Sequence, residues 1–226
     1  MKHKHRSVTK ETQGMCKKQF WVNPYQTAHV TKVSWLEGDQ VELEETIFYA
    51  ESGGQESDTG TIAGIAVLKA EKQGRTIRYT LEQTPAFSVG EEVWVKIDWP
   101  RRYQLMKLHF AAELVLELFY QQFSNVEKIG AHISQDKSRI DFYWPESIAP
   151  LLPSVTEQAN HLIAQDTPIL SAFSDEAEER RYWQVEGFAK VPCGGTHLKS
   201  TGEVGPIRLK RKNIGGGKER VEIYLT

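Results

Sequence analysis

The sequence changes its pattern at Pro100. Before it, short β-like runs are separated by turn-forming segments such as Glu37-Gly38-Asp39, a pattern typical of a small barrel. After it, apolar residues recur at three- and four-residue steps, which predicts an amphipathic helix over 100–123. These residues are Leu105, Leu108, Ala112, Val115, Phe119 and Phe123. Because proline is favoured in the first turn of a helix, we place a domain boundary near residue 100.

The remainder of the chain mixes both patterns. A strand-like run at 139–143 precedes a second predicted helix at about 154–165, which begins with Ser154 and Glu157 at the spacing of a capping box. Further β-like runs occupy 168–173, 183–191 and 221–225. We therefore predict an α+β fold with a loose N-terminal extension (1–18), a small β-barrel domain (19–99) and an α+β domain (100–226).

Composition excludes several classes of protein. Apolar residues make up 39% of the 226 residues, which is enough for a buried core and atypical of a disordered chain. No apolar run approaches the roughly 20 residues that span a bilayer, and no apolar segment follows the basic N-terminus as in a signal peptide. We therefore expect a cytoplasmic protein without a membrane partner. Cys16 and Cys193 are the two cysteines, and we predict that both are free thiols.

The segment CGGTH at 193–197 holds a thiol and an imidazole four residues apart. Zinc binds both donors, and a catalytic zinc site has three protein ligands and one open position. In the predicted helix, His109 and Glu113 share one face because they are also four residues apart. The two segments together predict a zinc site with His109, Glu113, Cys193 and His197 as candidate ligands.

Simpler interpretations exist for each of these residues. His109 could be a packed histidine, Glu113 a solvated helix residue, and Cys193 a small apolar residue of the core. The consecutive glycines favour the site, because they permit a close backbone approach that core segments rarely need twice in succession.

Basic residues are concentrated near the C-terminus, although the formal net charge is −2. The run contains one acid, Glu219, and surrounds three consecutive glycines at 215–217. Its basic members are Arg208, Lys210, Arg211, Lys212, Lys218 and Arg220. The run could be a solvated surface loop or a flexible loop that binds phosphates.

Several segments together resemble one known family. They are ETIFYAESGGQESDTGTI at 45–62, the helix segment that begins at His109, KSRIDF at 137–142, CGGTH at 193–197 and NIGGGKERVEIYL at 213–225. In this order they are similar to the alanyl-tRNA editing family, which comprises the editing domain of alanyl-tRNA synthetase and its free-standing AlaX-type relatives. The resemblance runs from about Phe20 to the C-terminus and is greatest to the medium-length free-standing form.

The resemblance implies a zinc-dependent hydrolase with an N-terminal β-barrel and a C-terminal editing domain. Its substrate would be the ester that links a wrong amino acid, typically serine and sometimes glycine, to alanine tRNA. The family binds zinc through His-x-x-x-His and Cys-x-x-x-His, which His109, Cys193 and His197 match. Glu113 replaces the second helical histidine, and Phe110 replaces a small hydroxyl residue.

Glu113 therefore has two possible roles. As a ligand it would add a negative charge that makes a zinc-bound water a weaker acid. As a general base it would instead leave the metal to three ligands.

The resemblance also suggests roles for other residues. Backbone amides near Gly194, Gly195 and Thr196 would stabilise the oxyanion. Phe110 would narrow the pocket, and His132 would approach the site or lie on the surface. The loop at 53–55 would pack the barrel against the editing pocket, or would be a plain turn. The candidate substrate contacts are Thr46, Gln55, Phe110 and His132.

The basic run would bind the acceptor end of tRNA through its phosphates. The candidate contacts are Lys210, Arg211, Lys212, Lys218 and Arg220. The alternative function is a catalytically impaired paralogue that binds tRNA or a synthetase without metal chemistry, and a third class is a metal-independent scaffold.

Overall fold

Residues 15–226 are described by the structure, a computed structural model. Within them the strands are β1 (Lys17–Lys18), β2 (Ala28–Glu37), β3 (Gln40–Leu43), β4 (Glu45–Thr46), β5 (Gly60–Ile62), β6 (Ile65–Gln73), β7 (Thr76–Leu81), β8 (Glu92–Ile97), β9 (Glu127–Ile133), β10 (Ser138–Tyr143), β11 (Ile169–Asp175), β12 (Arg180–Val185), β13 (Ala189–Pro192), β14 (Ile207–Gly215) and β15 (Lys218–Leu225). The helices are α1 (Gln19–Val22), α2 (Trp99–Gln122) and α3 (Leu152–Ala164), with 3-10 turns at Ala149–Leu151 and Thr201–Val204. The predicted α+β class is confirmed.

Six N-terminal strands pair in the closed order β2-β3-β7-β6-β5-β8, and every pairing is antiparallel. Burial alternates along β8, where Val93, Val95 and Ile97 point inward and their neighbours face solvent. This alternation is the two-residue period of a strand with one buried face. The inward side chains pack around Phe48 and Tyr79 into a hydrophobic cluster of their own.

The described end of the predicted extension is ordered, so that prediction is wrong for residues 16–18. Cys16 is 1% exposed, and β1 pairs in parallel with β4. The Lys18 ammonium donates to the carbonyl of Arg75 at 2.6 Å. A buried lysine needs such partners, and no sequence pattern reveals them in advance. Residues 1–14 lie outside the described range.

Helix α2 is the predicted long helix. The Asp98 carboxylate accepts from the backbone N–H of Arg101 at 3.2 Å and caps the N-terminus, and Pro100 lies in the first turn. The predicted apolar stripe is buried except for Phe123, which is half-buried and caps the C-terminus, and Phe110, Leu114 and Leu118 beside the stripe are buried too. Because the buried surface extends well beyond one stripe, α2 is a core helix of its half of the molecule.

Around α2 lie α3 and the four-stranded antiparallel sheet β14-β15-β10-β9, and a second sheet has the order β11-β12-β13. The predicted capping box at Ser154 and Glu157 is wrong, because α3 begins at Leu152 directly after a 3-10 turn and has no side-chain cap. A capping box does form at Ser200 and Glu203, at the start of the second 3-10 turn.

Several contacts join the N-terminal segments to the rest of the molecule, and the first is made by Arg102. Arg102 of α2 is fully buried and donates to the Asp58 carboxylate and to the carbonyls of Ile47 (2.7 Å) and Pro24 (2.9 Å). It thereby ties the start of α2 to three N-terminal segments.

The second contact is the loop that follows β4. The backbone N–H of Ile133 donates to the carbonyl of Gly54 at 2.7 Å, and Glu56 N–H donates to the Ile133 carbonyl at 3.0 Å. Gly54 has a φ of 86°, and a Cβ there would lie 2.6 Å from the carbonyl oxygen of Ala131. Glycine is therefore required where this loop meets β9.

Candidate active site

Three side chains that the sequence singled out converge. The ligand-type atoms of His109, Cys193 and His197 all lie within 4.8 Å of one another. His109 Nε2 is 3.4 Å from Cys193 Sγ, and the two imidazole rings are 5.3 Å apart between centroids. Helix α2 supplies the first residue, and the loop after β13 supplies the other two. Both cysteines are free, as predicted.

Backbone contacts hold the loop that carries Cys193. Its N–H donates to the carbonyl of Arg181 at 2.9 Å, which extends the pairing of β12 with β13. The indole N–H of Trp21 donates to the carbonyl of Gly194 at 2.8 Å. A Cβ on Gly195 would lie 1.9 Å from His109 Cε1, so the imidazole rests directly on the glycine backbone. Gly195 thus permits the close approach that the motif suggested, whereas a Cβ on Gly194 would meet no atom within 4 Å.

The donor set fits a zinc ion. Nδ1 of His197 lies 3.0 Å from the Ser171 hydroxyl, whereas its buried Nε2 has no hydrogen-bond partner in the described structure. Nδ1 of His109 is likewise buried and unpartnered. Buried polar atoms without partners are rare and point to a missing ligand. Two imidazoles and one thiolate form the three-ligand pattern of catalytic zinc, with one imidazole oriented by an outer hydrogen bond.

Glu113 lies beside this cluster and is not one of its three members. Its Oε1 is 3.6 Å from His109 Nε2, and its Oε2 accepts from the indole N–H of Trp183 at 2.9 Å. Burial by itself raises the pKa of Glu113, but the hydrogen bond and charge of His109 outweigh it and lower the pKa to about 2. Glu113 is therefore ionised at neutral pH.

The pKa values of the two histidines are shifted in opposite directions. Burial lowers the pKa of His109, but Cys193 and then Glu113 outweigh it and raise the pKa to about 10. Burial, reinforced by the charge of His109, lowers the pKa of His197 to about 3. The neutral His197 ring can offer a lone pair to a metal.

A pocket of about 180 Å³ opens onto the cluster. His109, Glu113 and Cys193 lie on one side of it, and Tyr49 and Gly53 line it from the N-terminal half. Both halves of the molecule therefore build the pocket, and Gly53 places the loop at 53–55 at its edge.

Gln55 and Thr196 contact each other. Gln55 is 1% exposed, and its Nε2 donates to the Thr196 hydroxyl at 3.2 Å. Thr196 is also buried at 1% exposure. Gln55 therefore fixes the loop that carries Cys193 and His197, while its own Oε1 lacks a hydrogen-bond partner in the described structure.

The structure contradicts the predicted substrate contact of Thr46. Its side chain is fully buried among the N-terminal strands, where the hydroxyl lies 2.7 Å from the Tyr79 hydroxyl and accepts from the N–H of Phe48 at 3.0 Å. The Thr46 hydroxyl thus makes both of its hydrogen bonds inside the protein, and Thr46 does not line the pocket.

Phe110 and His132 are also absent from the pocket lining. Phe110 is fully buried, with its ring 5.1 Å from Trp183 and 6.4 Å from His197, so it packs behind the site. The His132 ring is partly exposed on β9, and its Nε2 is 3.1 Å from Glu56 Oε1. Neither side chain lines the pocket, and His132 has the surface position that the sequence left open as its alternative.

The basic run is a β-hairpin, not a loop. It forms β14 and β15, which pair antiparallel around a tip of glycines with positive φ. Arg211 donates two hydrogen bonds of 2.6 Å to the buried Glu219, and Arg220 donates to Asp141 at 2.7 and 3.0 Å. Lys210 and Lys212 are exposed and have no carboxylate within ion-pair distance in the described structure. The candidate phosphate contacts therefore fall into a paired group and an unpaired group.

Sequence reasoning missed three residues that shape the site. Trp21, Ser171 and Trp183 each donate to or contact a residue of the CGGTH loop or of the His109–Glu113 pair. Each is a single residue in an ordinary strand or short helix, and no spacing pattern distinguishes it. The cluster itself could be predicted, because its members come from two pairs of residues that are each four positions apart in the sequence.

The cluster lies in a chain related to class II tRNA synthetases. Residues 1–101 match the family described as tRNA synthetases class II (A), and residues 182–222 match the threonyl and alanyl tRNA synthetase second additional domain. The chain belongs to the AlaX-M family of alanyl-tRNA editing proteins, because it is 32% identical to the alanyl-tRNA editing protein AlaX-M of Pyrococcus horikoshii over 93% of this chain and 98% of that protein.

Two further relatives agree with this assignment. The AlaX-M protein of Methanosarcina mazei is 30% identical over 88% of this chain and 90% of its own length. The alanine–tRNA ligase of Methanococcus maripaludis is 29% identical over 92% of this chain, which corresponds to 25% of the ligase. The predicted resemblance is thus confirmed. In the described residues, no helix is long and apolar enough to cross a bilayer.

Proposed function

We propose that this protein hydrolyses the ester of mischarged alanine tRNA, with seryl and glycyl esters as substrates, and that it acts as a separate deacylase in the cytoplasm. The observation that carries the proposal is the convergence of His109, Cys193 and His197 beside a pocket, in a chain of the AlaX-M family. Deacylation fits both the cluster and the editing activity for which the AlaX-M relatives are named.

His109, Cys193 and His197 would hold one zinc ion. When bound, zinc polarises a carbonyl oxygen and lowers the pKa of a coordinated water. The unpartnered nitrogens of the two histidines support this assignment. Ser171 keeps His197 oriented, which leaves Nε2 directed away from that hydrogen bond.

Glu113 would be the general base, and the metal would have three protein ligands. Glu113 lies outside the three-residue cluster, and the Trp183 indole holds one of its carboxylate oxygens at 2.9 Å. The other oxygen lies 3.6 Å from His109 Nε2 and would take a proton from the attacking water. If Glu113 is a base and not a ligand, a carboxylate at this position of α2 leaves the three-ligand metal site unchanged.

The loop amides would stabilise the developing oxyanion. In the described residues, the N–H groups of Gly194, Gly195 and Thr196 donate no hydrogen bond to a backbone carbonyl. These N–H groups are therefore available to an oxygen in the pocket. Gln55 keeps the loop in place through the Thr196 hydroxyl.

The hairpin β14–β15 would contact the acceptor end of tRNA. Lys210, Lys212 and Lys218 are the stronger candidates, because Arg211 and Arg220 are neutralised by carboxylates of the same sheet. We also propose that residues 19–99 form a barrel domain and 100–226 an editing domain, since each half has its own hydrophobic cluster.

The decisive experiment is deacylation of alanine tRNA charged with serine, glycine or alanine, with and without a chelator. We expect hydrolysis of the seryl and glycyl esters, sparing of the alanyl ester, loss of activity in chelator and recovery on added zinc. Absence of turnover at every zinc concentration would overturn the deacylase proposal and favour a protein that only binds tRNA. Elemental analysis of the purified protein would separately report whether zinc is bound.

A further inference from the structure

A second cleft meets the metal cluster from another side. It is lined by Trp21, Ser171, Arg181, Gly195, His197 and Lys199, among others. No aspartate or glutamate lines it within the described structure. The pocket beside His109, in contrast, is lined by two acids and two bases, which are Glu113, Glu179, Lys18 and Lys72. The second cleft is therefore positively charged where it touches the cluster.

Arg181 is the unusual residue of this cleft. It is 7% exposed, and no carboxylate pairs with it in the described part of the chain. A guanidinium has five N–H donors, yet the side chain makes one hydrogen bond there, a long one of 3.3 Å from Nη2 to the carbonyl of Trp21. Its Nε is buried without a partner. Burying a charge is unfavourable unless it is paired, so an anionic partner is expected.

The surroundings hold the guanidinium without neutralising it. It lies over the Phe173 ring at 4.5 Å and near the Trp21 ring at 5.6 Å. Aromatic faces of this kind fix the plane of an arginine side chain. A planar guanidinium fixed in this way can bind a phosphate through two parallel hydrogen bonds.

The position relative to the cluster suggests which phosphate would bind. The carbonyl of Arg181 accepts from Cys193 N–H at 2.9 Å, so Arg181 directly adjoins a proposed metal ligand. In an aminoacylated nucleotide, the ester and the last phosphodiester are attached to the same ribose. When the ester lies at the cluster, this phosphodiester must lie close to the cluster as well. The second cleft is a suitable place for it.

We propose that Arg181, assisted by the exposed Lys199, binds the last phosphodiester of the acceptor strand and so places the ester at the cluster. This inference rests on the proposed function and deepens it. Arg181 acts as a substrate-binding residue. Trp21 holds Gly194 through its indole N–H and Arg181 through its carbonyl, and so keeps the cleft and the metal loop in register.

The test measures binding of two RNA minihelices that carry a non-hydrolysable 3′-seryl amide. They are identical except that the last linkage is a phosphodiester in one and a neutral methylphosphonate in the other. We expect wild-type protein to bind the phosphodiester about 10- to 100-fold more tightly, the range of a charge-assisted pair. Arg181→Gln should bring this ratio close to one, and Arg181→Lys should leave an intermediate ratio.

The matched control is Arg180→Gln, which removes an exposed arginine from the neighbouring position of β12 and should leave the ratio unchanged. Equal weakening of both minihelices by Arg181→Gln would overturn the proposal and show a packing role. An unchanged ratio, or no preference in the wild type, would also overturn it.

Hydrolysis of the seryl ester on the same minihelix separates this inference from the proposed function. If the wild-type protein does not hydrolyse the ester but its preference for the phosphodiester depends on Arg181, the deacylase proposal is wrong and the phosphate site stands. If the wild-type protein hydrolyses the ester but its preference does not depend on Arg181, the deacylase proposal stands and the phosphate site is wrong.

Discussion

The CGGTH loop with His109 and the hairpin β14–β15 both attracted attention in the sequence, but the structure constrains them very differently. At the cluster both histidines are buried, Cys193 is half-buried, and the ligand-type atoms of all three lie within 4.8 Å of one another. On the hairpin the five candidate contacts are exposed or half-buried, and two of them are already paired with carboxylates. Metal binding requires particular side chains at one point, so each residue of the cluster is needed. Phosphate binding on the hairpin requires only positive charge, so its lysines can replace one another.

Cys193→Ala tests the cluster most severely. Loss of one of three ligands should abolish bound zinc and deacylation together, with a fall in metal affinity well beyond the roughly 10- to 100-fold of an outer-shell change. Elemental analysis and a chelator competition would measure it. Cys16→Ala is the matched control, because it removes a buried thiol from the N-terminal half. Equal zinc loss in both variants would mean that the cluster is not the metal site.

Glu113→Gln tests whether Glu113 is a general base or a metal ligand. The amide oxygen can still accept from Trp183, so the change removes the charge and little else. A general base contributes about 10²- to 10⁴-fold, and we expect a fall in kcat of that size with zinc content unchanged. Loss of zinc with the activity would identify Glu113 as a fourth ligand instead.

Gly195→Ala tests how closely the backbone approaches the imidazole. The added Cβ would meet His109 Cε1 at 1.9 Å, so the ring must move. A displacement of about 1 Å can lower a rate about 10²-fold, and we expect a loss of that order in kcat/KM with weaker zinc binding. Gly194→Ala is the control, because nothing lies within 4 Å of its added Cβ. Indistinguishable kinetics for the two variants would contradict the geometry of the loop.

The smallest effect is expected on the hairpin. Lys210→Ala combined with Lys212→Ala should weaken tRNA binding several-fold, leave kcat unchanged and lower the slope of log K against log salt by about two. Lys32→Ala with Lys96→Ala removes two exposed lysines from the N-terminal strands and serves as the control. If the two double variants have the same salt slope, the hairpin lysines have no special part in RNA binding.

The sequence predicted what depends on local repetition. The three- and four-residue steps of Leu105, Leu108 and Val115 located α2, and two four-residue spacings located the cluster. It could not predict the place of Thr46 or Phe110, because their burial depends on partners such as Tyr79 and Trp183 from distant strands. The same reason hid the pairing of Arg220 with Asp141, which becomes possible only when β10 and β15 lie side by side.

Arg102 has a consequence for how the molecule can be divided. Its guanidinium starts on the helix that carries His109 and ends among the carbonyls and the carboxylate of the N-terminal strands. A fragment cut at residue 100 would keep this cation but lose the carboxylate and the carbonyls that bind it, together with the surface that buries it. Dissection of this chain into two separately expressed pieces should therefore remove a hydrogen-bond network that neither piece can rebuild.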